Sequence, residues 1–511
     1  MSTAGTPAGP EQNRSPTAAR TVPGLLAARA ARQPDRIAIE TEGARGALTF
    51  FDWHERAAAV ACGLLARGLD RGQRVVLRFG GRDWIDFAVA YCGVLAAGGV
   101  AVPCSDRLAP VELRHIMTHC GATALLFAEG KPVPRRHEGT VFEGTLAEVS
   151  LAGPGPARVP VRPGDLAQII YTSGTTGPPK GVSASHANVT LGAATHPGRR
   201  RLAHSEHFLH AFPIGTNAAQ AMLVNALDAK PTALPLPRFT PGRFARLAQA
   251  RRVGSVFVVP AMAIELLSSG ALDRFDLSGV LLFGSTGAAL PPAVAAELAR
   301  RLPAATIVNY YTSTEAAPVQ LSMIFDPLRP GSVGRAAGAE LRVLATSGDP
   351  VGPGEVGDVW LRSPYPRAYY RDKPASRAAF RAGWVRMGDL GRLDEEGYLY
   401  LVDRASDVIK SGGDKVSTLK VEAALYEHPG IAEAAVLGVP HPVLGMAVAA
   451  AVVPQVSGTG IALPQLRAFL LDRLASHELP AQVILADRLP RNAAGKVVKR
   501  DLLALFHRDQ R

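Results

Sequence analysis

The stretch YTSGTTGPPKGV, residues 171–182, has the glycines and the lysine of a phosphate-binding loop. It ends an apolar, strand-like run, LAQIIYTS, and precedes a probable helix that Ser185 can cap. Glycines permit close backbone approach, hydroxyl side chains donate hydrogen bonds, and Lys180 supplies a positive charge. The stretch is not a Walker loop, because Pro179 and Gly181 flank the lysine where that loop has a glycine and a serine or threonine. The pattern predicts a polyphosphate-binding loop between a strand and a helix.

Size, composition and charge describe a multidomain globular protein. The chain has 511 residues and a mass of 53.7 kDa, which is enough for several domains. Hydrophobic residues make up 47% of the chain and charged residues 20%, as in soluble globular proteins. The net charge is +12, but the arginines are scattered and the longest basic run is 199–201. This pattern does not indicate a nucleic-acid partner and favours a solvated basic surface that attracts anionic ligands.

Neither the first residues nor the most apolar stretch indicates secretion or a membrane span. Residues 1–21 lack the apolar core of a signal peptide, so we predict a disordered tail. The uncharged stretch 87–104 is divided by Gly98 and Gly99, which predicts a buried helix–turn–strand unit. The four cysteines form no CxxC pair, so reduced thiols in a cytoplasmic protein are expected.

Strand-like and helix-like segments alternate along most of the chain. Apolar runs such as RVVLRF and TALLFA alternate with segments rich in Ala and Leu, and the alternation returns after residue 211. Such alternation predicts α/β layers with largely parallel sheets. Residues 335–403 contain short strands with Gly and Pro turns, which predicts a small β-rich subdomain. A further α/β pattern runs to the terminus, so we predict one large domain at 22–405 and a small one at 406–511.

Five further motifs follow the opening loop in order. They are GSTGAAL (284–290), YYTSTE (310–315), GWVRMGDLG (383–391), DRASDVIKSGGDKVS (403–417) and LPRNAAGKVVKRDLL (489–503). The whole set resembles the signature motifs of the adenylate-forming superfamily, which includes acyl-CoA synthetases, peptide-synthetase adenylation domains and luciferases. It is most similar to the motif set of acyl- and aryl-CoA ligases. The resemblance implies two βα-layered subdomains and a β-rich subdomain in an N-terminal adenylation domain, followed by a mobile C-terminal α/β domain.

The resemblance implies a first half-reaction in which a carboxylate attacks the α-phosphate of ATP and pyrophosphate leaves. Because two anions must meet, such a site needs cations and donors directed at the developing charge. Glu315 is implied to hold Mg²⁺, and Thr314 to contact the α-phosphate. The β- and γ-phosphates are implied to lie on Thr172, Ser173, Gly174, Thr175, Thr176, Gly177 and Lys180.

The nucleoside and the catalytic lysine are assigned by the same resemblance. Tyr311 is implied to stack on adenine, and Asp389, supported by Arg404, to accept the ribose hydroxyls. Lys496 is implied to bridge the carboxylate and the α-phosphate after the C-terminal domain carries it into the site. The small residues that let the base lie close to the backbone are Gly287, Ala288 and Ala289.

A second half-reaction, in which a thiol attacks the adenylate, is implied after rotation of the C-terminal domain. The hinge falls on Ser406, where the family usually has Asp or Lys. Such rotations need only a few residues to absorb the dihedral change. Gly412 and Gly413 are implied to let the pantetheine arm of CoA approach the backbone. CoA is therefore the expected acceptor.

The sequence departs from the family around the acid. Gly215, Thr216 and Asn217 stand where the family usually has an aromatic residue followed by histidine, and Met387 replaces the threonine of TGD. Thr312 replaces the glycine of the YGxTE motif. The branched side chain and hydroxyl of Thr312 predict a shorter and more polar pocket, whereas Gly215 is expected to open space. A small, polar or aromatic acid is the predicted substrate.

Other functions stay open on the sequence. A stand-alone adenylating enzyme could pass the adenylate to a carrier protein or to an amine, and some members of the superfamily activate nitrite for diazotisation of an aryl amine. A catalytically silent relative would bind the nucleotide without turnover, although the intact Lys496 and Glu315 argue against it. The sequence indicates neither the identity of the acid nor the oligomeric state.

Overall fold

The computed structural model describes residues 21–42, 46–130, 140–151, 159–172, 179–193, 200–336, 340–455, 461–492 and 495–508. Within these residues the chain forms two large mixed sheets, an antiparallel sheet and a C-terminal α/β domain. The predicted α/β class, with two βα-layered subdomains, a β-rich subdomain and a small C-terminal domain, is confirmed. Residues 1–20 of the predicted tail lie outside the described residues, and Thr21 caps the first helix.

The first subdomain contains a seven-stranded sheet. This part of the chain contains α1 (Val22–Arg32), β1 (Ile37–Glu40), β2 (Ala47–Thr49), α2 (Phe50–Ala66), β3 (Arg74–Phe79), α3 (Trp84–Ala96), β4 (Val100–Ser105), α4 (Pro110–Cys120), β5 (Ala122–Phe127), β6 (Phe142–Gly144), α5 (Leu146–Val149), β7 (Leu166–Thr172), β8 (Lys180–Ser185) and α6 (His186–Val189). Six of its strands lie in the order β8-β7-β4-β3-β5-β6. Strands β7 and β8 form an antiparallel hairpin near one edge, and the other four run parallel.

The second subdomain contains an eight-stranded sheet. This part of the chain contains β9 (His207–His210), α7 (Asn217–Asp228), β10 (Thr232–Pro235), α8 (Pro241–Ala250), β11 (Ser255–Val258), α9 (Pro260–Ser268), α10 (Ala271–Arg274), β12 (Leu282–Thr286), α11 (Pro292–Arg301), β13 (Thr306–Tyr311) and β14 (Leu321–Ile324). The strand order is β14-β13-β12-β11-β9-β10-β1-β2, so two strands from the start of the chain complete this sheet. Strands β9 to β13 run parallel, and their carboxyl ends share the edge where open α/β sheets bind ligands.

The β-rich subdomain follows, and one of its strands crosses to another sheet. Its elements are β15 (Ser332–Arg335), β16 (Glu340–Leu344), β17 (Gly357–Arg362), β18 (Ala368–Tyr369), α12 (Lys373–Ala379), β19 (Phe380–Arg381), β20 (Trp384–Leu393) and β21 (Tyr398–Arg404). The antiparallel order is β15-β21-β20-β17-β16, with β19 on β20. Strand β18 instead pairs with β8 and becomes the seventh strand of the first sheet.

The C-terminal domain packs helices on a small mixed sheet. Its elements are β22 (Ile409–Ser411), β23 (Asp414–Val416), α13 (Thr418–Tyr426), β24 (Ile431–His441), β25 (Gly445–Pro454), α14 (Leu463–Leu470), β26 (Gln482–Leu485) and α15 (Lys499–Arg508). Strand β21 ends at residue 404 and β22 begins at residue 409, so the predicted boundary at 405/406 lies in the connection between them.

Helix α3 occupies the centre of the largest core. Apart from Asp86, every residue from Trp84 to Leu95 is buried, which accounts for the nearly uncharged sequence of the helix. Gly98 has φ +75°, a conformation that favours glycine, and it turns the chain from α3 into β4. The predicted helix–turn–strand unit is therefore present. Among the described helices, we find none with the length and apolar composition that crossing a membrane requires.

Candidate active site

The opening loop connects the two strands of the β7–β8 hairpin, so the prediction of a loop between a strand and a helix is wrong: β8 comes first, and α6 follows it. Thr172 ends β7, Lys180 begins β8, and the two residues are register partners. Past the hairpin, Ser185 Oγ accepts a hydrogen bond from the Asn188 amide at 3.2 Å and caps α6, as predicted. The phosphate-binding residues predicted between the strands lie outside the described residues: Ser173, Gly174, Thr175, Thr176 and Gly177.

A tyrosine links Lys180 to the predicted metal ligand Glu315. Lys180 Nζ lies 5.1 Å from the centre of the Tyr369 ring, and the Tyr369 hydroxyl donates to Glu315 Oε1 at 3.0 Å. Burial and the neighbouring Glu315 carboxylate raise the pKa of Tyr369, so the phenol stays protonated and acts as the donor. No motif identifies Tyr369 in the sequence. It reaches the site because β18 pairs with β8, which places Tyr369 opposite Val182.

Tyr311, Asp389 and Arg404, predicted to bind the nucleoside, form one contact group. The Tyr311 hydroxyl donates to Asp389 Oδ2 at 2.7 Å, and Arg404 Nε lies 3.5 Å from Oδ1. Asp389 and Arg404 are register partners on β20 and β21. Burial raises the pKa of Asp389, while Arg404 and the Tyr311 hydroxyl act in the opposite direction. Tyr311 thus positions the carboxylate, a contact that its predicted role in base stacking did not include.

Three small residues predicted to lie beside adenine follow β12 directly. Gly287 has φ +91°, and both Gly287 and Ala288 are exposed, whereas Ala289 is half-buried. They stand at the carboxyl edge of the eight-stranded sheet, one strand away from Tyr311 at the end of β13. The backbone at this edge is therefore open to a flat ligand.

Lys496 stands near residues predicted to bind the nucleotide although it belongs to the C-terminal domain. Its side chain is exposed, yet it stands within electrostatic reach of Arg404, Asp389 and Glu315. Burial among the surrounding atoms lowers the pKa of Lys496, and so does Arg404, whereas the two carboxylates act in the opposite direction. The structure therefore brings together residues from three motifs of the N-terminal domain and one of the C-terminal domain.

Val259, at the start of α9, is the contact point between the two domains at this site. A Cβ added to Gly287 would lie 3.5 Å from Val259 Cγ1, and a Cβ added to Gly495 would lie 3.3 Å from Val259 Cγ2. Gly495 has φ +80° and precedes Lys496. Arg491 holds this turn by donating to the Gly495 carbonyl at 2.9 Å. The Lys496 turn thus packs beside the predicted adenine segment.

Gly215, Thr216 and Asn217, which stand where the family usually has a bulky pair, each make a contact that supports the fold. A Cβ added to Gly215, which has φ +96°, would lie 3.1 Å from the Ser105 amide nitrogen. The expectation that Gly215 opens space is therefore wrong, because β4 occupies that side. Thr216 caps α7 by accepting from the Ala219 amide at 3.2 Å. Asn217 Oδ1 accepts from Arg367 Nη1 at 2.9 Å.

Thr312 and Tyr310 stand at the end of β13, where a substrate would meet the strand. Thr312 Oγ1 donates to the Val319 carbonyl at 2.7 Å. The prediction that this hydroxyl makes the pocket more polar is corrected, because the backbone already uses the hydroxyl. Tyr310, which the sequence analysis did not single out, lies over Gly284: a Cβ added there would lie 2.8 Å from Tyr310 Cε2. Its ring also packs 6.3 Å from that of Phe257.

The residues predicted to form the hinge and to lie beside the thiol belong to the C-terminal domain. Ser406 Oγ donates to Asp407 Oδ1 at 2.7 Å. Asp403, before the hinge, accepts from the Thr418 amide at 2.5 Å and from its hydroxyl at 3.1 Å. Gly412 and Gly413 form the β22–β23 turn, in which Gly412 has φ +63° and donates to the Leu444 carbonyl at 2.9 Å. In the described part of the chain we find no contact that joins this turn to the nucleotide residues.

Among the described residues, Glu315 is not part of a cluster of side chains that could hold a metal ion by itself. No group of three or more His, Cys, Asp or Glu side chains that could hold a metal occurs among the described residues. Mg²⁺ is commonly bound by one or two carboxylates together with substrate phosphates. A single carboxylate linked through Tyr369 to Lys180, at the end of the predicted phosphate-binding loop, therefore fits Mg²⁺ that arrives with a nucleotide.

Known proteins are similar to this chain in both sequence and fold. The chain matches the family described as AMP-binding enzyme over residues 26–370 and the AMP-binding enzyme C-terminal domain over residues 420–496. A feruloyl-CoA synthase from Amycolatopsis sp is 32% identical over 487 residues, which cover 94% of this chain and 97% of that protein.

Two solved structures of related enzymes superpose over nearly the whole chain. The o-succinylbenzoate CoA synthetase MenE from Bacillus subtilis, in complex with its acyl-adenylate intermediate OSB-AMP, has a TM-score of 0.83 and 25% identity, and the match covers 94% of this chain and 97% of that one. The amide bond synthetase McbA from Marinactinospora thermotolerans has a TM-score of 0.79 and 26% identity, and the match covers 94% of this chain and 99% of that one.

The fold and the matched segments define an adenylate-forming enzyme with a separate C-terminal domain. The resemblance inferred from the motifs is thereby confirmed. The chain belongs to the AMP-binding enzyme family, in the part of it that contains AMP-forming acid–CoA ligases.

Proposed function

We propose that the protein is an ATP-dependent, AMP-forming ligase that adenylates a small carboxylic acid and transfers the acyl group to CoA. The position of Lys496 carries this proposal. A lysine from the C-terminal domain stands within electrostatic reach of Glu315, Asp389 and Arg404, which belong to different motifs of the N-terminal domain. Such a group can stabilise the charge that develops when a carboxylate attacks a phosphate.

The nucleotide would lie along the carboxyl edge of the eight-stranded sheet. Asp389, fixed by Tyr311 and Arg404, would accept the ribose hydroxyls, and Lys180 would neutralise the phosphates. Glu315 would hold Mg²⁺, which supplies positive charge to the phosphate oxygens when bound. The Tyr369 hydroxyl would keep the Glu315 carboxylate in place. Lys496 would contact the attacking carboxylate and the α-phosphate together.

CoA is the proposed acceptor, and the name of the feruloyl-CoA synthase supports this choice. The similarity to an amide bond synthetase favours the alternative that the adenylate passes to an amine. A carrier protein, and nitrite in place of the acid, belong to the same alternative. The buried, free thiols of Cys92, Cys104 and Cys120 fit our proposal that the reaction takes place in the cytoplasm.

One assay tests both the reaction and the acceptor. The protein is incubated with ATP, Mg²⁺ and a panel of acids and nitrite, each with CoA, hydroxylamine or an aryl amine, and the products are identified by mass spectrometry. We expect AMP, pyrophosphate and an acyl-CoA. Formation of ADP and phosphate would contradict the proposal, whereas an amide or diazo product without a thioester would identify the alternative acceptor.

A further inference from the structure

Arg367 is a buried arginine beside the candidate active site, within electrostatic reach of Glu315. Arg367 is only 5% exposed. Among the described residues we find no carboxylate within ion-pair distance of its guanidinium. Burial lowers the pKa of Arg367 to about 10, so the guanidinium stays charged at neutral pH. A buried charge that no carboxylate contacts directly is costly, and Glu315 acts on Arg367 only through its longer-range electrostatic attraction.

Three acceptors fix the guanidinium. Nε donates to Asn188 Oδ1 at 3.0 Å, and Nη1 donates to Asn217 Oδ1 at 2.9 Å and to the Thr314 carbonyl at 2.7 Å. The Asn188 amide is itself oriented, because its Nδ2 donates to the carbonyls of Ala317 and Tyr365. All three acceptors are neutral, so they position the positive charge without compensating it.

One side of the guanidinium remains available. No described residue accepts a hydrogen bond from Arg367 Nη2, whose two N–H groups are therefore free within the described part of the chain. The neighbours of the guanidinium are residues at which the acid and the α-phosphate are expected. Thr314 is assigned to the α-phosphate, and Asn217 lies at the start of α7 in the predicted acid pocket.

We propose that Arg367 binds the acid through Nη2, and that the acid is a small planar anion with two oxygen atoms. Both a short carboxylate and nitrite have this chemistry, because an oxygen of either anion can accept a charge-assisted hydrogen bond from Nη2 of a guanidinium whose orientation is already fixed. The ring of Tyr310 packs against Gly284 and Phe257, so this side of the strand is already filled. This inference rests on the proposed adenylation reaction and names the kind of substrate.

The test compares Arg367→Gln, Arg367→Lys and the unmutated protein. Binding of nitrite and of acetate is measured by calorimetry in the presence of AMP, and the KM values for acid and ATP by acid-dependent ATP–pyrophosphate exchange. Arg367→Gln should weaken anion binding and raise the acid KM by about 10- to 100-fold, the range for a hydrogen bond to a charged group, with the ATP KM changed less than about twofold. Arg367→Lys keeps the positive charge but not the planar guanidinium. Its anion affinity and acid KM should lie between those of Arg367→Gln and of the unmutated protein.

A matched control is Arg29→Gln, another buried arginine. Arg29 is 2% exposed and donates to the carbonyl of Ala229, which follows the last residue of α7. Arg367 contacts the first residue of the same helix. The two arginines therefore lie at opposite ends of α7, which is about 18 Å long. The control should lower the melting temperature without changing the acid KM. If Arg367→Gln does not fold, the comparison of Arg367→Lys with the unmutated protein still decides, because equal anion affinities would overturn the proposal.

The outcomes separate this inference from the proposed function. If only one of the two anions, nitrite or acetate, binds saturably, this result shows which kind of anion the protein takes. Loss of that binding in Arg367→Gln supports the subsite. Anion binding that depends on Arg367 without any pyrophosphate exchange would leave the subsite standing and remove the ligase activity. Exchange with an unchanged acid KM in Arg367→Gln, or an equal loss of acid and ATP affinity, would overturn the subsite and leave the ligase activity standing.

Discussion

Lys496 is the single side chain on which the two half-reactions can be separated. Lys496→Ala should reduce adenylation by about 10²- to 10³-fold, the loss typical of one transition-state donor, and leave thioester formation from supplied acyl-adenylate nearly intact. Because the pKa of Lys496 is lowered, its charge is lost at a lower pH than that of an ordinary lysine, so adenylation should fall early as the pH rises. Single-turnover assays of each half-reaction across pH measure both effects.

A suitable control is Lys373→Ala, which removes an exposed lysine at the start of α12. It should leave both half-reactions and their pH dependence unchanged. An equal loss in the two steps for Lys496→Ala would show that the lysine serves the fold or the nucleotide in general, and the role assigned to it here would have to be given up.

We expect Thr312, which follows β13 directly, to limit the space for the acid. Thr312→Gly removes the side chain and its bond to the Val319 carbonyl, and we expect it to shift preference toward larger acids. Overpacking costs of about 1 to 3 kcal/mol correspond to a change of about 5- to 200-fold in the relative specificity constants. The measurement is kcat/KM for a series of acids of increasing length. Thr312→Ser, which keeps the hydroxyl, is the control and should change the preference less. Equal turnover of C12 to C16 and short acids by the unmutated protein would refute the argument.

Strand pairing also explains which site residues the sequence could predict. Asp389, Glu315 and Lys496 each lie in a short local motif, so the order of the motifs was sufficient to predict a role for each. Tyr369 and Arg367 enter the site because β18 crosses to pair with β8, a contact between segments about 185 residues apart that no local pattern encodes. The space expected beside Gly215 was misjudged for a related reason, since the backbone that fills it comes from β4.

Contacts next to the predicted hinge join the two domains in the observed arrangement. Asp403 lies before Ser406 and accepts from Thr418 of the C-terminal domain, so the predicted rotation about Ser406 would disturb this link. Thr418→Val keeps the shape of the side chain and the hydrogen bond that the backbone amide donates to Asp403. It removes the hydroxyl, which also accepts from Lys499 Nζ at 3.0 Å. We expect adenylation to fall by about 10-fold relative to thioester formation, because a hydrogen bond to a charged group contributes about 1.5 to 3 kcal/mol.

The ratio of the two half-reaction rates is the measurement that tests this link. Thr232→Val is the control, since the hydroxyl of Thr232 donates to the Ile37 carbonyl at 2.8 Å within the N-terminal domain. It should cost stability and leave the ratio unchanged. If Thr418→Val also leaves the ratio unchanged, the link does not bias the domain arrangement.

The close approach of Gly215 to β4 has a practical consequence for anyone who redesigns the specificity of this enzyme. An aromatic residue at position 215 would force a side chain into a left-handed backbone position, with its Cβ 3.1 Å from the Ser105 amide nitrogen. Libraries that randomise position 215 should therefore yield mostly misfolded variants. Diversity is better introduced at Tyr310, whose ring can be shortened without moving a strand, and the gain would be a catalyst with a wider choice of acids.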